Sequence, residues 1–176
     1  GVAPTQWTSC FGGTVDTHPF QWPATPDCNG TPANPLPNPV NGVNYMGMLD
    51  INPPYNWHES VSAKLDTPLC VNKTHTFTIS LRYVFDAPFG WYNGGSLKVW
   101  GGNSSCNQAQ LLWTSPGVTT SWQTYTATFS PSAAYKYLNF SIQNGGSSCY
   151  ILVDNMSCIT SACMGSPDDP PNSVYD

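Results

Sequence analysis

The chain has 176 residues, a length that suits one domain, and 40% of them are hydrophobic and 13% aromatic, enough apolar area to offset the entropy of ordering a single core. Only 9% are charged, five Lys plus Arg against ten Asp plus Glu, for a net charge of −5. That balance excludes nucleic acid as a partner and disfavours an anionic membrane surface. Both need clustered cations, whereas Lys64, Lys73, Arg82, Lys98 and Lys136 stand singly.

The first third is rich in proline. Ten of the 17 prolines precede residue 55, with a concentration at Pro32, Pro35, Pro37 and Pro39. Proline removes a backbone donor and interrupts both helix and sheet, so residues 1–41 are expected to form an irregular wrap over the core. A first strand is expected at 45–49 and a second at 60–65. From 74 to 85 the pattern becomes clear: Phe77, Ile79, Leu81, Tyr83 and Phe85 alternate with Thr76, Thr78, Ser80 and Arg82, the period of a half-buried strand. Further runs at 96–100, 110–114, 122–129, 137–142 and 150–155 are each bounded by Gly, Asn, Ser or Pro. No helical period is convincing. About eight strands at this spacing predict an all-β chain, an antiparallel β-sandwich or jelly roll over residues 42–164. Residues 165–176, with three prolines, read as a C-terminal arm or linker.

Seven cysteines, with no CxxC pair and no zinc-ligand spacing, point to disulfides formed in an oxidising compartment, hence to a secreted protein, extracellular or at the cell surface. Cys10, Cys28, Cys70, Cys106, Cys149 and Cys158 are the disulfide candidates. Cys10 with Cys28 would pin the wrap, Cys106 and Cys149 both close predicted strands, and Cys70 could reach Cys158 or Cys163. An odd count leaves one thiol over or pairs it with another chain. No apolar run approaches the roughly 20 residues that span a bilayer, so no transmembrane segment is expected. The chain, which starts at Gly1, reads as a mature protein or an excised domain.

Catalytic signatures are absent. Sugar hydrolysis usually needs two carboxylates, and Glu59 is the only glutamate. Trp57-His58-Glu59-Ser60 suggests a metal site, but a zincin helix needs a second His where Ser62 stands. No enzyme activity is expected. A structural calcium held by Asp50, Asp66 and Asp154 is the one cofactor considered, with caps and turn residues as the alternative reading. Sugar rings stack on flat aromatic faces while amides and carboxylates bind their hydroxyls. The loop from Phe85 to Gly95 offers Phe89, Trp91, Tyr92 and Asn93 for this, on a rigid scaffold where loops carry function. Trp100, Trp113 and Trp122 read as core residues.

The segments Glu59-Ser-Val-Ser-Ala-Lys-Leu-Asp-Thr-Pro-Leu69, Leu97-Lys-Val-Trp-Gly-Gly102, Leu111-Leu-Trp-Thr-Ser-Pro116, Trp122-Gln-Thr-Tyr125 and Val153-Asp-Asn155 resemble, in this order, jelly-roll domains of Bacteroidetes cell-surface proteins. Those domains look related to galactose-binding-like carbohydrate-binding modules. The likeness covers roughly residues 42–160. It implies an exported, non-catalytic module for glycan binding or adhesion at the bacterial cell surface, its partner a glycan or cell-surface polysaccharide, with the Asp-Asn pair near the end of such domains falling on Asp154 and Asn155. The alternative is self-assembly, as a structural subunit of an extracellular filament, sheath or surface layer.

Overall fold

The alternation that predicts strands is realised as two packed antiparallel sheets, in a computed structural model that describes residues 7–11, 15–19, 37–53, 56–84, 94–143 and 148–161. In chain order the strands are β1 (Trp7–Cys10), β2 (Asp16–Pro19), β3 (Asn44–Ile51), β4 (Trp57–His58), β5 (Ser60–Lys64), β6 (His75–Tyr83), β7 (Ser96–Gly102), β8 (Gln110–Thr114), β9 (Gln123–Phe129), β10 (Tyr137–Gln143), β11 (Cys149–Asp154) and β12 (Thr160–Ser161). All eight expected strands are present, with ends shifted by a residue or two. Four short ones join them. Two of these, β1 and β2, come from the segment expected as an irregular wrap.

One sheet has five strands in the order β1-β5-β10-β7-β8. The other has seven, β12-β6-β11-β3-β2, with β4 added to β3 and β9 to β6. β9 pairs β6 along His75–Leu81, while β11 takes Ser80–Tyr83 and β12 takes His75 and Thr76 on the other edge. Ser157 bridges the gap between β11 and β12. Its N–H donates to the Thr78 carbonyl and its Oγ accepts from the Thr78 N–H, both at 2.9 Å.

The core lies between the sheets. On the five-stranded side Val61, Leu97, Val99, Leu138 and Phe140 point inward, and on the seven-stranded side Phe77, Ile79, Leu81, Met48 and Ile151 meet them; all are fully buried. Burial of a side chain of this size contributes about 1.5–3 kcal/mol, and the period-2 pattern ensures that every second residue does so. A second, smaller cluster sits on the outer face of the seven-stranded sheet, where Tyr45, Tyr150, Leu152 and Val84 pack with Leu49 and Trp122. Part of the Pro-rich segment is fastened there: the Trp122 indole donates to the Asn38 carbonyl at 2.8 Å, and Asp154 accepts from the N–H groups of Val40 and Asn41.

The chain passes from one sheet to the other at Glu59, between β4 and β5. Several connections gather at this end of the sandwich. Asp50 pairs with Cys149, Ile151 with Tyr83, and Ser96 with Gln143, so the turns after β3, β6 and β10 all leave here. The connection from β8 to β9 joins them, with the Tyr83 N–H donating to the Thr119 carbonyl at 2.9 Å.

Candidate functional site

This loop end holds the most distinctive side chains described. The β3–β4 hairpin pairs Ile51 with Trp57 and Asp50 with His58. Asn56 precedes β4 with φ of 48°, a left-handed conformation that Asn tolerates better than other non-glycine residues. Trp57 remains 44% exposed. Its ring is nonetheless held in place, because the indole Nε1–H donates to Glu59 Oε1 at 3.2 Å. Glu59 itself is only 4% exposed. Its other oxygen accepts the Leu49 N–H at 2.8 Å, and its own N–H donates to the Leu49 carbonyl at 2.9 Å. The sole glutamate therefore staples the sheet crossover and fixes an exposed indole.

His58 is placed differently. Successive strand residues project to opposite faces, so His58 lies on the side of Asp50, whose carboxylate oxygen contacts the imidazole Nδ1. The Asp50 side chain is buried and that of His58 largely exposed, leaving Nε2 for an outside partner. Cys149 stands opposite Asp50 and is fully buried. Burial pushes its thiol up to about 12, and the Asp50 charge adds to this. A thiol held so firmly protonated is a poor nucleophile.

Phe89, Trp91, Tyr92 and Asn93 lie outside the described residues. The flanks of their segment are anchored at the loop end: the Val84 N–H donates to the Tyr150 carbonyl at 3.0 Å and the Val118 N–H to the Gly95 carbonyl at 3.1 Å. Gly94 is obligatory in this anchor, since a Cβ there would sit 1.8 Å from the Val118 carbonyl oxygen. Asp50, Asp66 and Asp154 do not converge. Asp50 faces the start of β11, Asp154 closes that strand, and Asp66 lies in the exposed turn after β5. Among the described residues no three His, Cys, Asp or Glu side chains form a metal-binding group.

The Cys10 disulfide differs from the pairing expected for it. Cys10 bonds Cys106, not Cys28, across a sequence separation of 96. Cys149 and Cys158, expected among the disulfide candidates, are free thiols, which rules out Cys158 as the partner of Cys70. Cys70 is disulfide-bonded; Cys28 and Cys163 lie outside the described residues. The Cys10–Cys106 bond ties the 103–109 connection across the outer face of the five-stranded sheet. Asn107 meets that face, its carbonyl accepting from Asn139 Nδ2 at 2.6 Å. Beneath lie Ser60, Ser62 and Asn139, all buried. Among the described residues Ser60 Oγ, Ser62 Oγ and Asn139 Oδ1 have no hydrogen-bond partner, which calls for ordered water.

Trp100 corrects another expectation. It shares a strand with inward-facing Leu97 and Val99 but has the opposite parity to both, so it lies on the outer face rather than in the core. Its Nε1–H donates to Ser141 Oγ at 2.9 Å, and Lys98 Nζ stands 5.7 Å from the ring centroid. Trp113 does enter the core, against Phe77.

No known family profile matches the chain, and no curated protein matches it. Solved structures do share its architecture. The K1 cleaved adhesin domain of Lys-gingipain from Porphyromonas gingivalis W83 is 16% identical, over 88% of this chain and 90% of that one, with a TM-score of 0.54. The CBM22-1 xylan-binding domain from Paenibacillus barcinonensis Xyn10C is 13% identical, over 88% and 85%, with a TM-score of 0.54. A cyclase from Fischerella sp. TAU, in complex with an indolyl butanone, is 15% identical, over 91% and 86%, with a TM-score of 0.56. At these identities the likeness establishes the fold and leaves function to the site. The chain is an antiparallel β-sandwich of the jelly-roll kind found in carbohydrate-binding modules and adhesin domains.

Proposed function

We propose that the chain is a non-catalytic extracellular module that binds glycan, or mediates adhesion through glycan, at the loop end of the sandwich. The observation that carries this reading is Trp57, an exposed indole whose orientation is set by a buried carboxylate. A flat apolar face held without further loss of rotamer freedom suits a pyranose ring. His58 Nε2 adds a polar group at the same end, and the segment bearing Phe89, Trp91, Tyr92 and Asn93 is anchored there by both flanks. Both Glu59 oxygens accept hydrogen bonds, so this carboxylate serves the fold rather than an acid–base step.

The test is affinity electrophoresis of the purified chain through gels containing soluble polysaccharides such as xylan, β-glucan and galactan. Retardation by one of them is expected, with Trp57→Ala and Trp91→Ala each weakening it about tenfold, or about 1.4 kcal/mol. Trp100→Ala serves as the comparison. If it abolishes binding while Trp57→Ala does not, the glycan lies on the outer face of the five-stranded sheet. Retardation by none of a broad glycan set would overturn the reading.

A further inference from the structure

The edges of the two sheets are unequally protected. An exposed edge strand presents unpaired N–H and C=O groups to any passing chain, and proteins blunt such edges by brevity, proline, charge or a bulge. β1 has four residues, β2 has four and ends on Pro19, β4 and β12 have two each, and β8 has five beside a register shift at Val99/Trp100. β9 uses none of these devices. Gln123–Phe129 is seven residues long without a charge, a proline or a glycine. It pairs β6 over seven consecutive positions and, among the described residues, no other strand. Gln123, Thr124, Thr126 and Thr128 are all exposed.

The same strand is symmetric about its centre. Thr124, Thr126 and Thr128 share the outer face, while Tyr125 and Ala127 share the other. An antiparallel copy centred on Thr126 would set Thr126 opposite Thr126, Thr124 opposite Thr128 and Tyr125 opposite Ala127. Thr–Thr and aromatic–aliphatic pairs of this kind stabilise neighbouring strands. For a chain of net charge −5, an uncharged, self-matching edge is where two copies meet without repulsion. We propose that β9 is a homodimer interface, pairing antiparallel with β9 of a second copy so that the two seven-stranded sheets continue across a two-fold axis at Thr126. The pattern fits a second copy better than an unrelated strand, because only self-pairing exploits the symmetry. Such an isologous contact closes as a dimer and does not propagate.

The geometry has a functional consequence that rests on the glycan-binding reading. β9 starts at the loop end, so antiparallel pairing directs the two loop ends in opposite directions. The dimer would bridge two surfaces rather than grip one twice.

The test is light scattering of the intact chain from about 1 to 500 μM, the range of weak to moderate association. A Cys158→Ser background prevents disulfide-linked dimers through that exposed thiol. The expected result is a concentration-dependent rise from 19.1 kDa to twice that mass. Thr126→Lys and Thr126→Glu should each raise the dimer Kd at least tenfold with unchanged circular dichroism and Tm, since the side chain is exposed. Mixed in equal amounts they should form a heterodimer, because the two substituted positions face each other. A monomer at every concentration, a dimer unaffected by Thr126→Lys, or a mixture that stays monomeric would each refute the interface. None of these readings involves glycan. Thr126→Lys should still be retarded in the polysaccharide gel, so the two proposals fail independently.

Discussion

Removal of the Glu59 carboxylate tests whether its hydrogen bonds hold the sheet crossover. In Glu59→Ala, the Leu49 N–H and the Trp57 indole N–H lose their acceptors at 2.8 and 3.2 Å. Hydrogen bonds to a charged group are worth about 1.5–3 kcal/mol each. The Leu49 bond is sheltered and should count fully, whereas the Trp57 ring is 44% exposed and water can replace much of its bond. Release of the buried charge returns part of the cost, leaving a net loss of about 2–4 kcal/mol. For a domain of this size, that lowers Tm by roughly 5–15 °C. Glu59→Gln keeps one oxygen acceptor but turns an NH2 group toward the other donor, so about half the loss is expected. Guanidinium unfolding and calorimetry measure both variants. In a nitrogen-15 spectrum the Trp57 indole resonance should move toward a solvent-exposed position in Glu59→Ala only. A change below about 0.5 kcal/mol in Glu59→Ala, within the range of an ordinary surface substitution, would refute the staple.

Two further outcomes follow from the cysteines and the buried phenol. Cys10→Ser/Cys106→Ser opens a loop spanning 96 residues, for which chain entropy predicts about 4–5 kcal/mol. Because Cys70 lies inside that span and is itself cross-linked, about 2–4 kcal/mol is expected in denaturant titration, and an unchanged midpoint would contradict it. The second outcome concerns alkaline pH. Burial raises the Cys149 thiol from 9.0 to about 12 and the Tyr45 phenol from 10.0 to about 12. A group whose folded value lies above its unfolded one keeps its full stabilisation below the unfolded value and loses it as pH rises toward the folded one. These two groups should therefore leave stability unchanged from neutral pH to about 9 and lower it between 9 and 12, by up to ~1.4 kcal/mol per pH unit per group. Cys149→Ser should delay the onset to about pH 10. In iodoacetamide mapping at pH 8.5, Cys158 should label readily and Cys149 only after unfolding.

Much of this fold is legible in the sequence because alternation is a local property. β6 announces itself through Phe77, Ile79 and Leu81, and the same rule finds the other seven principal strands. It cannot find β4 or β12, whose two residues contain no period, or β2, whose Pro19 is tolerated only because the strand lies at an edge. Trp100 shows two sequence signals in conflict. Aromatic bulk favours a core position, whereas its parity relative to Leu97 and Val99 opposes one, and parity decides. The Cys10–Cys106 bond was not readable at all. It depends on β1 pairing with β5 and on the 103–109 connection folding back over that sheet, and neither is encoded by spacing between cysteines. Glu59 stands out in the sequence as the only glutamate, yet its role follows from a neighbour ten residues away in sequence, Leu49, which only strand pairing brings into reach.

The low charge of the chain connects the two proposals physically. With 9% charged residues, the described surface is largely Thr, Ser and Asn, groups that hydrogen-bond to water about as readily as to sugar hydroxyls or to another strand. Such a surface gains little long-range steering from its net charge of −5, so recognition has to arise at short range from shape and fixed geometry. Trp57 supplies that at the loop end through a ring oriented by Glu59, and β9 supplies it at the sheet edge through an uninterrupted row of backbone donors and acceptors. Added salt should therefore leave both glycan retardation and dimerisation nearly unchanged. A strong loss of either between 0.05 and 0.5 M salt, a range over which the Debye length falls by about threefold, would show that charge contributes where this surface provides almost none.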